Sequence, residues 1–449
     1  MKEEQSCDFT QKLLTLVIPI AFQQFMLALV SASDALMLGM LTQDALSAVS
    51  LAGQVTFVEN LFLAAMAIGL SMLAAQYWGK RDRGAVERIF AYVMKITVVV
   101  SFLFFIAGLI IPGALMRIFT NEQNLIEGGS IYLRTVSPAY LLTGISQAYL
   151  CILKNTGRAA KSSAISSVSV VVNIVLNAVL IFGWFGLPAM GIAGAALATV
   201  IARVTETAWC MFETAKKDSV RLKLSYMLHD DEVLRRDFWK YSFPVLGNEI
   251  VWGVGFTMYS VIMGHLGSDA VAANSIANIV KNLAACFCLG LGSGGGIMVG
   301  NELGAGRLDT AKEYGGRLCR MSVICGVASG LVMLALSPLI FAVTDLSAAA
   351  KTYLRWMLVM CSCYMVGKSV NGTTIGGIFC AGGDSRFGFL CDAVTMWCIT
   401  VPLGFLAAFV LRLPVVLVYL IVNLDEIVKL PAVYRHYKQY QWVKDLTVN

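Results

Sequence analysis

Charged side chains are scarce in this chain. Asp, Glu, Lys and Arg together make up 14% of the residues, whereas apolar residues make up 58%. A soluble domain has about a quarter charged residues and just under half apolar ones. The shortage of charge excludes a water-soluble globular protein and indicates a chain embedded in a membrane.

The residues that serve common catalytic and nucleotide chemistry are also few. The chain has three His, and no nucleophile–base arrangement stands out. It contains no GxxxxGK[ST] loop for nucleotide phosphates, and the Gly-rich run 290–300 lacks the Lys and lies within an apolar stretch. We therefore expect no enzyme and no cofactor, and any energy that the protein needs would come from an ion gradient of H⁺ or Na⁺.

The twelve Cys do not form a metal pattern. Cys286 and Cys288, like Cys361 and Cys363, are too close in sequence for ordinary zinc spacing, and no His is nearby. Small apolar packing is the simpler interpretation of these thiols.

Long apolar runs fill most of the chain. Each is long enough to cross a hydrocarbon core of about 30 Å as a helix, and period-two alternation, typical of a β-barrel, is absent. The N-terminus lacks a cleavable signal pattern, so the first run is expected to stay as a span. The sequence thus predicts an all-α polytopic membrane protein with twelve transmembrane helices. The runs cover roughly residues 13–38, 46–76, 90–116, 130–153, 160–183, 190–214, 238–263, 270–300, 315–343, 352–381, 385–410 and 414–437.

Basic residues concentrate in the loops after even-numbered runs, for example in GKRDRGAVER at 79–88 and in the stretch 215–237. The positive-inside rule therefore predicts that both termini lie in the cytoplasm of a cell whose inner or plasma membrane holds the protein. This asymmetry explains the net charge of +6 without a nucleic-acid partner.

The first half of the sequence returns in the second half with an offset of 225 residues. The matches include Pro19 with Pro244, Gly39 with Gly264, and Gly69 with Gly294. Six spans in each half make the halves parallel repeats, as in many transporters. We predict an N-terminal six-helix lobe at 1–214, a linker at 215–237, a C-terminal lobe at 238–437 and a cytoplasmic tail at 438–449. A duplicated chain can work as a monomer.

Polar side chains inside the spans are the candidate functional residues, because ionisable groups in hydrocarbon are costly. Asp34 lies in the outer part of span one without a cation among its neighbours. Asn173 and Asn177 share one face of span five, and Thr199 on span six falls at a similar depth. These four residues are expected to form an ion- or proton-coupling cluster, which could also ligate Na⁺ at Asp34 and Asn173. The alternatives are an acid solvated at the helix end and structural hydrogen bonds between helices.

A second site or gate is predicted in the other half. Counting helical rise places Glu249 on span seven and Lys281 on span eight at the same depth, so we expect an ion pair between them. An unpaired Glu249 would instead be a second proton site. Glu59, at mid-depth of span two, is a further candidate. Pro19 removes a backbone hydrogen bond inside span one and is a candidate hinge.

The other acidic residues in the spans have plain structural interpretations. Glu206 is expected to pair with Arg203 one helical turn away. Asp392 is expected to lie near the cytoplasmic end, in contact with water. Asp425 and Glu426 on span twelve are expected to form a local ion cluster with Lys429.

Several motifs, taken in order, resemble the multidrug and toxic compound extrusion (MATE) family over essentially the whole chain. They include SDALMLGMLTQDALSAVSLA, AAQYWGKRDRGA, LKNTGRAA, GSDAVAANSIA, VGNELGAGRLDTA and VYRHYKQYQW. The resemblance implies two six-helix lobes that export organic cations and other drugs in exchange for H⁺ or Na⁺. The family's acid on span one matches Asp34, its span-five Asn matches Asn173, and its span-six Thr matches Thr199.

Two departures from the family bear on the coupling ion. Asn177 stands where many members have Asp, and Asn371 stands where some Na⁺-coupled members have an acid. These losses favour H⁺ over Na⁺. The resulting hypothesis is an ion-coupled antiporter of amphiphilic, often cationic, compounds that works by alternating access. The alternative is a lipid-linked precursor flippase, which the shortage of cations in the spans, mainly Lys281 and Lys368, disfavours.

Overall fold

The computed structural model describes residues 2–216, 219–228, 231–343 and 346–447. Over these ranges the chain is helical and contains no β-strand, so the predicted all-α class is confirmed. Twelve principal helices follow the order of the predicted apolar runs. They are α1 (Lys2–Gly39), α2 (Gln43–Gly79), α3 (Arg83–Ile110), α4 (Gln123–Asn155), α5 (Ala159–Phe182), α6 (Gly191–Thr214), α7 (Glu232–Gly264), α8 (Ser268–Gly304), α9 (Leu308–Val343), α10 (Ala348–Asn371), α11 (Ser385–Ala393) and α12 (Val415–Val422).

Two of these helices continue in modified form. α10 runs into a π-helical stretch at Gly372–Phe379, and α11 continues through alternating π and α turns to Val410. Short helices also occur. They span Pro112–Arg117, Leu224–Leu228, Asp425–Val428 and Leu430–Lys438.

Ten helical segments of the described chain are long and apolar enough to cross a membrane. α10 and α12 fall outside that criterion for different reasons. α10 carries Lys351, Arg355 and Lys368, and α12 has only 8 residues, because the helix ends before Asn423. The chain is a multi-pass membrane protein in which α10 misses the criterion because of its basic residues and α12 because of its length.

Local chemistry sets several helix ends. Asp82 caps α3 by accepting a 2.9 Å hydrogen bond from the Ala85 amide. Ser347 caps α10 by accepting one of 3.1 Å from Ala350. Gly183 ends α5 in the left-handed region (φ 74°), where a residue without Cβ is favoured. The turn after Gly183 leads the chain back into α6, so α5 and α6 pack side by side.

One compact unit comprises Phe25–Ala74 and Asp82–Phe238. It holds α3 to α6 together with the part of α1 from Phe25 onward and most of α2. Ala52, Leu133 and Tyr140 form part of its buried core. The candidate residues from the first half of the chain beyond Pro19 belong to this unit, called here the N-terminal bundle.

The second compact unit comprises the residues up to Gln24, Ala75–Arg81 and the chain from Trp239 onward. It is called here the C-terminal bundle. Its helices α8 and the π-helical end of α10 lie backbone to backbone, and a Cβ on Gly377 would come within 2.5 Å of the Gly292 carbonyl oxygen. Glycine permits this close approach. The domain division drawn from the sequence stays a prediction.

The end of the described chain packs onto the C-terminal bundle. Trp442 is fully buried, and the Gln76 side chain, also buried, bonds three backbone groups around it. Gln76 Nε2 donates to the carbonyl oxygens of Ala381 (2.7 Å) and Lys444 (3.0 Å), and its Oε1 accepts from the Leu446 amide (2.6 Å). Residues 442–446 therefore belong to the folded body of this bundle.

Candidate functional site

Asp34 begins a chain of side-chain hydrogen bonds that crosses three helices of the N-terminal bundle. Asn177 Nδ2 donates to Asp34 Oδ1 at 2.5 Å and lies 3.2 Å from Asn173 Oδ1. Asn173 Nδ2 in turn donates to Thr199 Oγ1 at 3.3 Å. The four residues predicted to cluster are thus brought together, in the order Asp34, Asn177, Asn173, Thr199.

The two amides of this chain are almost completely buried. Asn177 is 1% exposed and Asn173 is 5% exposed, while Asp34 is half-buried. The Asn177 Oδ1 atom is buried and has no hydrogen-bond partner among the described residues. A buried carbonyl oxygen beside a carboxyl group is an acceptor available to a proton donor or a cation.

Arg203 is a guanidinium whose charge acts on this cluster, and it already has a carboxylate partner. Its Nη1 donates to both carboxylate oxygens of Glu206, at 3.1 and 3.0 Å. The Arg203–Glu206 pair predicted from the one-turn spacing is therefore confirmed. Arg203 acts on Asp34 electrostatically, but within the described chain no ion pair within 4 Å joins Asp34 to a base.

Glu59 lies deeper in the same bundle. It is 1% exposed, and its Oε1 has no hydrogen-bond partner in the described ranges. Ser101 on α3 and Tyr140 on α4 are neighbours with which it interacts. Neither neighbour could be found from the sequence, because a hydroxyl group within an apolar run carries no signal of what it faces.

The predicted Glu249–Lys281 ion pair is wrong. Neither residue takes part in an ion pair in the part of the chain that the structure describes, and Lys281 Nζ lies over the Tyr364 ring, 5.1 Å from its centroid. Lys368 and Asp392 are the charged groups that act on Glu249. Equal depth along two helices does not fix the direction in which each side chain points. Counting helical rise along the sequence therefore could not predict the partner of either residue.

A buried charge network lies in the C-terminal bundle, near the point where α12 ends and the next short helix begins. Lys429 Nζ lies 2.7 Å from Asp392, 3.2 Å from Glu426 and 4.0 Å from Asp425. The predicted cluster of Asp425, Glu426 and Lys429 is confirmed. The expectation of a solvated Asp392 is wrong, because this side chain is 8% exposed and held by Lys429.

Two residues of α10 complete this network. Lys368 Nζ lies 3.5 Å from Glu426, and Asn371 Nδ2 donates to the Glu426 carboxylate at 2.7 Å. The amide of Asn371 therefore serves as a donor to a carboxylate supplied by the chain after α12. Sequence spacing gave no sign of this contact, since the two residues are 55 positions apart.

Pro19 lies inside α1, which continues unbroken from Lys2 to Gly39. The hinge role proposed for it stays a prediction. No group of three or more His, Cys, Asp or Glu side chains suited to a metal ion occurs within the described ranges. Any metal coordination at Asp34 would therefore depend on amide and hydroxyl oxygens.

Comparison with known proteins now places the chain. The sequence model of the MatE family matches residues 19–179 and 244–406, once in each half. The "Uncharacterized transporter YisQ" of Bacillus subtilis is 22% identical and covers 98% of this chain and 97% of its own length. The "Probable multidrug resistance protein NorM" of Thermotoga maritima is 24% identical, covering 68% of this chain and 66% of its own.

Solved structures share the fold. A MOP superfamily transporter from Pyrococcus furiosus, described as having a binding pocket of reversed polarity, gives a TM-score of 0.88 at 16% identity, covering 98% of this chain and 97% of its own. An outward-facing multidrug resistance MATE transporter gives 0.86 at 17% identity, covering 95% and 96%. Two repeats of the family pattern on a helical membrane fold of this type identify the chain as a member of the MATE family of transporters, which are not enzymes.

Proposed function

We propose that this chain is a proton-coupled antiporter that exports amphiphilic, often cationic, organic compounds across the cell membrane by alternating access. Relatives named as multidrug resistance proteins support the substrate class. The observation that carries the proposal is the setting of Asp34, whose hydrogen-bonded partner is the neutral amide of Asn177. Its charge is therefore free to be neutralised by a proton or by the substrate.

Competition for one carboxyl group gives the exchange. A proton bound to Asp34 cancels the charge that would hold a cationic substrate, and the substrate's own charge displaces the proton. Desolvation favours the neutral acid and the paired state over a bare carboxylate. Each cycle then moves a proton inward as the compound moves outward, with binding of one species releasing the other.

The donor set favours H⁺ over Na⁺ as the coupling ion. Na⁺ would need several oxygen ligands. Around Asp34 the available ones are amide and hydroxyl oxygens that already accept hydrogen bonds from amide nitrogens, apart from Asn177 Oδ1. A single carboxyl group is sufficient for a proton. The flippase alternative calls for several uncommitted cations in the spans, whereas Arg203 and Lys368 each have a carboxylate partner and Lys281 lies over the Tyr364 ring.

Vesicle transport tests the proposal. The protein is reconstituted in liposomes, a pH gradient and a Na⁺ gradient are imposed separately, and uptake of a fluorescent organic cation is followed. We expect the pH gradient to drive uptake in the unmodified protein and Asp34→Asn to abolish it. The exposed Asp44→Asn, on the neighbouring helix of the same bundle, is the matched control and should transport normally. Normal transport by Asp34→Asn would overturn the proposal.

A further inference from the structure

A second carboxylic acid of the N-terminal bundle stands apart from the hydrogen-bond chain of Asp34. Glu59 on α2 is 1% exposed and Ser101 on α3 is 0% exposed. Glu59 Oε1 and Ser101 Oγ are both buried polar atoms without a hydrogen-bond partner in the described part of the chain. Two neighbouring oxygens that both lack a partner are the arrangement expected where a proton joins one to the other.

A charged Glu59 would be costly at this position. In the described chain no Lys, Arg or His lies within ion-pair distance of it, and an isolated buried carboxylate loses several kcal/mol of hydration. The neutral acid has an O–H group to donate and needs an acceptor, which Ser101 Oγ supplies. Burial favours a proton on Glu59, and the Ser101 hydroxyl can partner the carboxyl group with or without that proton.

We infer that Glu59 and Ser101 form a second proton site of the N-terminal bundle, at which Glu59 takes up and releases one proton in each transport cycle. The inference rests on the proposed function, since it adds a proton to the exchange at Asp34. The proton moves from water to the Glu59 carboxylate on one side and from the carboxyl group back to water on the other. No bond other than O–H forms or breaks.

The two acids lie at different levels of the bundle. Asp34 is five residues before the end of α1 and Glu59 is sixteen residues after the start of α2. At 1.5 Å per residue, Glu59 lies about 16 Å deeper, measured from the turn that joins the two helices. A proton held at Glu59 is therefore further into the bundle than one held at Asp34.

Arg203 connects the two sites electrostatically. Its guanidinium acts on both Asp34 and Glu59 while it is bonded to Glu206. Tyr140 from α4 and Arg203 from α6 are the titratable and charged groups that face Glu59, and α3 contributes the uncharged Ser101. If Asp34, Glu59 and Glu206 were all ionised, Arg203 would balance one of their three charges. Two negative charges would then remain, so neutrality calls for two protons or for one proton and a cationic substrate.

The number of protons moved per substrate tests the inference. Glu59→Gln keeps the size and hydrogen-bonding capacity of the neutral acid but cannot exchange a proton. We expect it to lower the ratio of protons to substrate by one while substrate-for-substrate exchange at equal pH continues. Ser101→Ala should weaken proton uptake, and Ser146→Ala, an equally buried serine bonded to its own helix, should leave the ratio unchanged. An unchanged ratio in Glu59→Gln would overturn the inference.

Infrared spectroscopy separates this failure from failure of the proposed function. In the reconstituted protein we expect the carbonyl band of a protonated, buried carboxyl group that is lost in alkaline buffer and absent from Glu59→Gln. A band missing from the unmodified protein, or one that persists at every pH, would also overturn the inference. If neither gradient drives transport, the proposed function fails, whereas this band still reports whether Glu59 binds and releases a proton.

Discussion

Asn177 Nδ2 donates a 2.5 Å hydrogen bond to Asp34 Oδ1 and thereby joins α5 to α1 across the N-terminal bundle. The same amide group reaches Asn173 at 3.2 Å. Asn177 therefore holds Asp34, the proposed coupling acid, by a neutral contact, while its own carbonyl oxygen has no partner among the described residues. The charge on Asp34 can change without any base having to move away.

Replacing Asn177 by Asp should alter the ion preference. Asn177→Asp places a second carboxyl group at hydrogen-bond distance from Asp34, and two such groups cannot both be charged without a cation between them. We expect the variant to share one proton between the two acids or to accept Na⁺. A Na⁺ gradient, ineffective in the unmodified protein, should then drive uptake of the organic cation in liposomes. Uptake that stays insensitive to Na⁺ would contradict this reading of the site.

Removing the Thr199 hydroxyl should have a modest effect. Thr199→Val keeps the shape but deletes the acceptor of the 3.3 Å hydrogen bond from Asn173. A single neutral hydrogen bond contributes about 1 kcal/mol, which corresponds to roughly a fivefold change in an equilibrium constant. We expect proton-driven uptake to weaken by about that factor. The measurement is the external proton concentration that gives half-maximal uptake, with Thr205→Val on the same helix as control.

Lys429 should be the most sensitive charge of the C-terminal bundle. Lys429→Met leaves three buried acids, Asp392, Asp425 and Glu426, with Lys368 as their remaining cation. Breaking a buried pair from one side costs about 3–5 kcal/mol. We expect a clear fall in the thermal midpoint of the detergent-solubilised protein. Adding Asp392→Asn should restore part of it, and a double variant as unstable as the single one would show that the pair is not the cause.

The contact between α8 and the π-helical end of α10 should not tolerate added side chains. A Cβ at Gly377 meets the Gly292 carbonyl oxygen at 2.5 Å, whereas one at the adjacent Gly376 meets nothing within 4 Å. Gly377→Ala should lower stability by about 1–3 kcal/mol through overpacking. Gly376→Ala should be neutral or slightly stabilising. Thermal unfolding of the two variants measures the difference, and equal effects would contradict the packing argument.

Much of the fold could be predicted from the sequence, because the membrane imposes length and hydrophobicity on every span. The Asp34 cluster could also be predicted, since Asn173 and Asn177 share a helix face and their depths follow from the span ends. The pairing of Glu249 with Lys281 failed because depth does not fix azimuth around a helix. Lys281 instead lies over Tyr364.

The remaining contacts depend on which helices become neighbours. The ion pair of Lys429 with Asp392 joins positions 37 residues apart, one on α11 and the other between two short helices. Ser101 on α3 interacts with Glu59 on α2, and nothing in an apolar run distinguishes the serine that faces an acid. A sequence taken alone shows how deep a residue lies, and the tertiary arrangement decides what it touches.

The three bonds of Gln76 have a consequence for biogenesis. Its partners include the backbone of Lys444 and Leu446, the latter 370 positions further along the chain. During synthesis the Gln76 side-chain amide, near the end of α2, cannot bond these partners until nearly all later helices have been made and inserted. The contacts between Gln76 and residues 444–446 therefore form late. In a ribosome-bound intermediate the Gln76 side chain should be exposed to water and to chaperones.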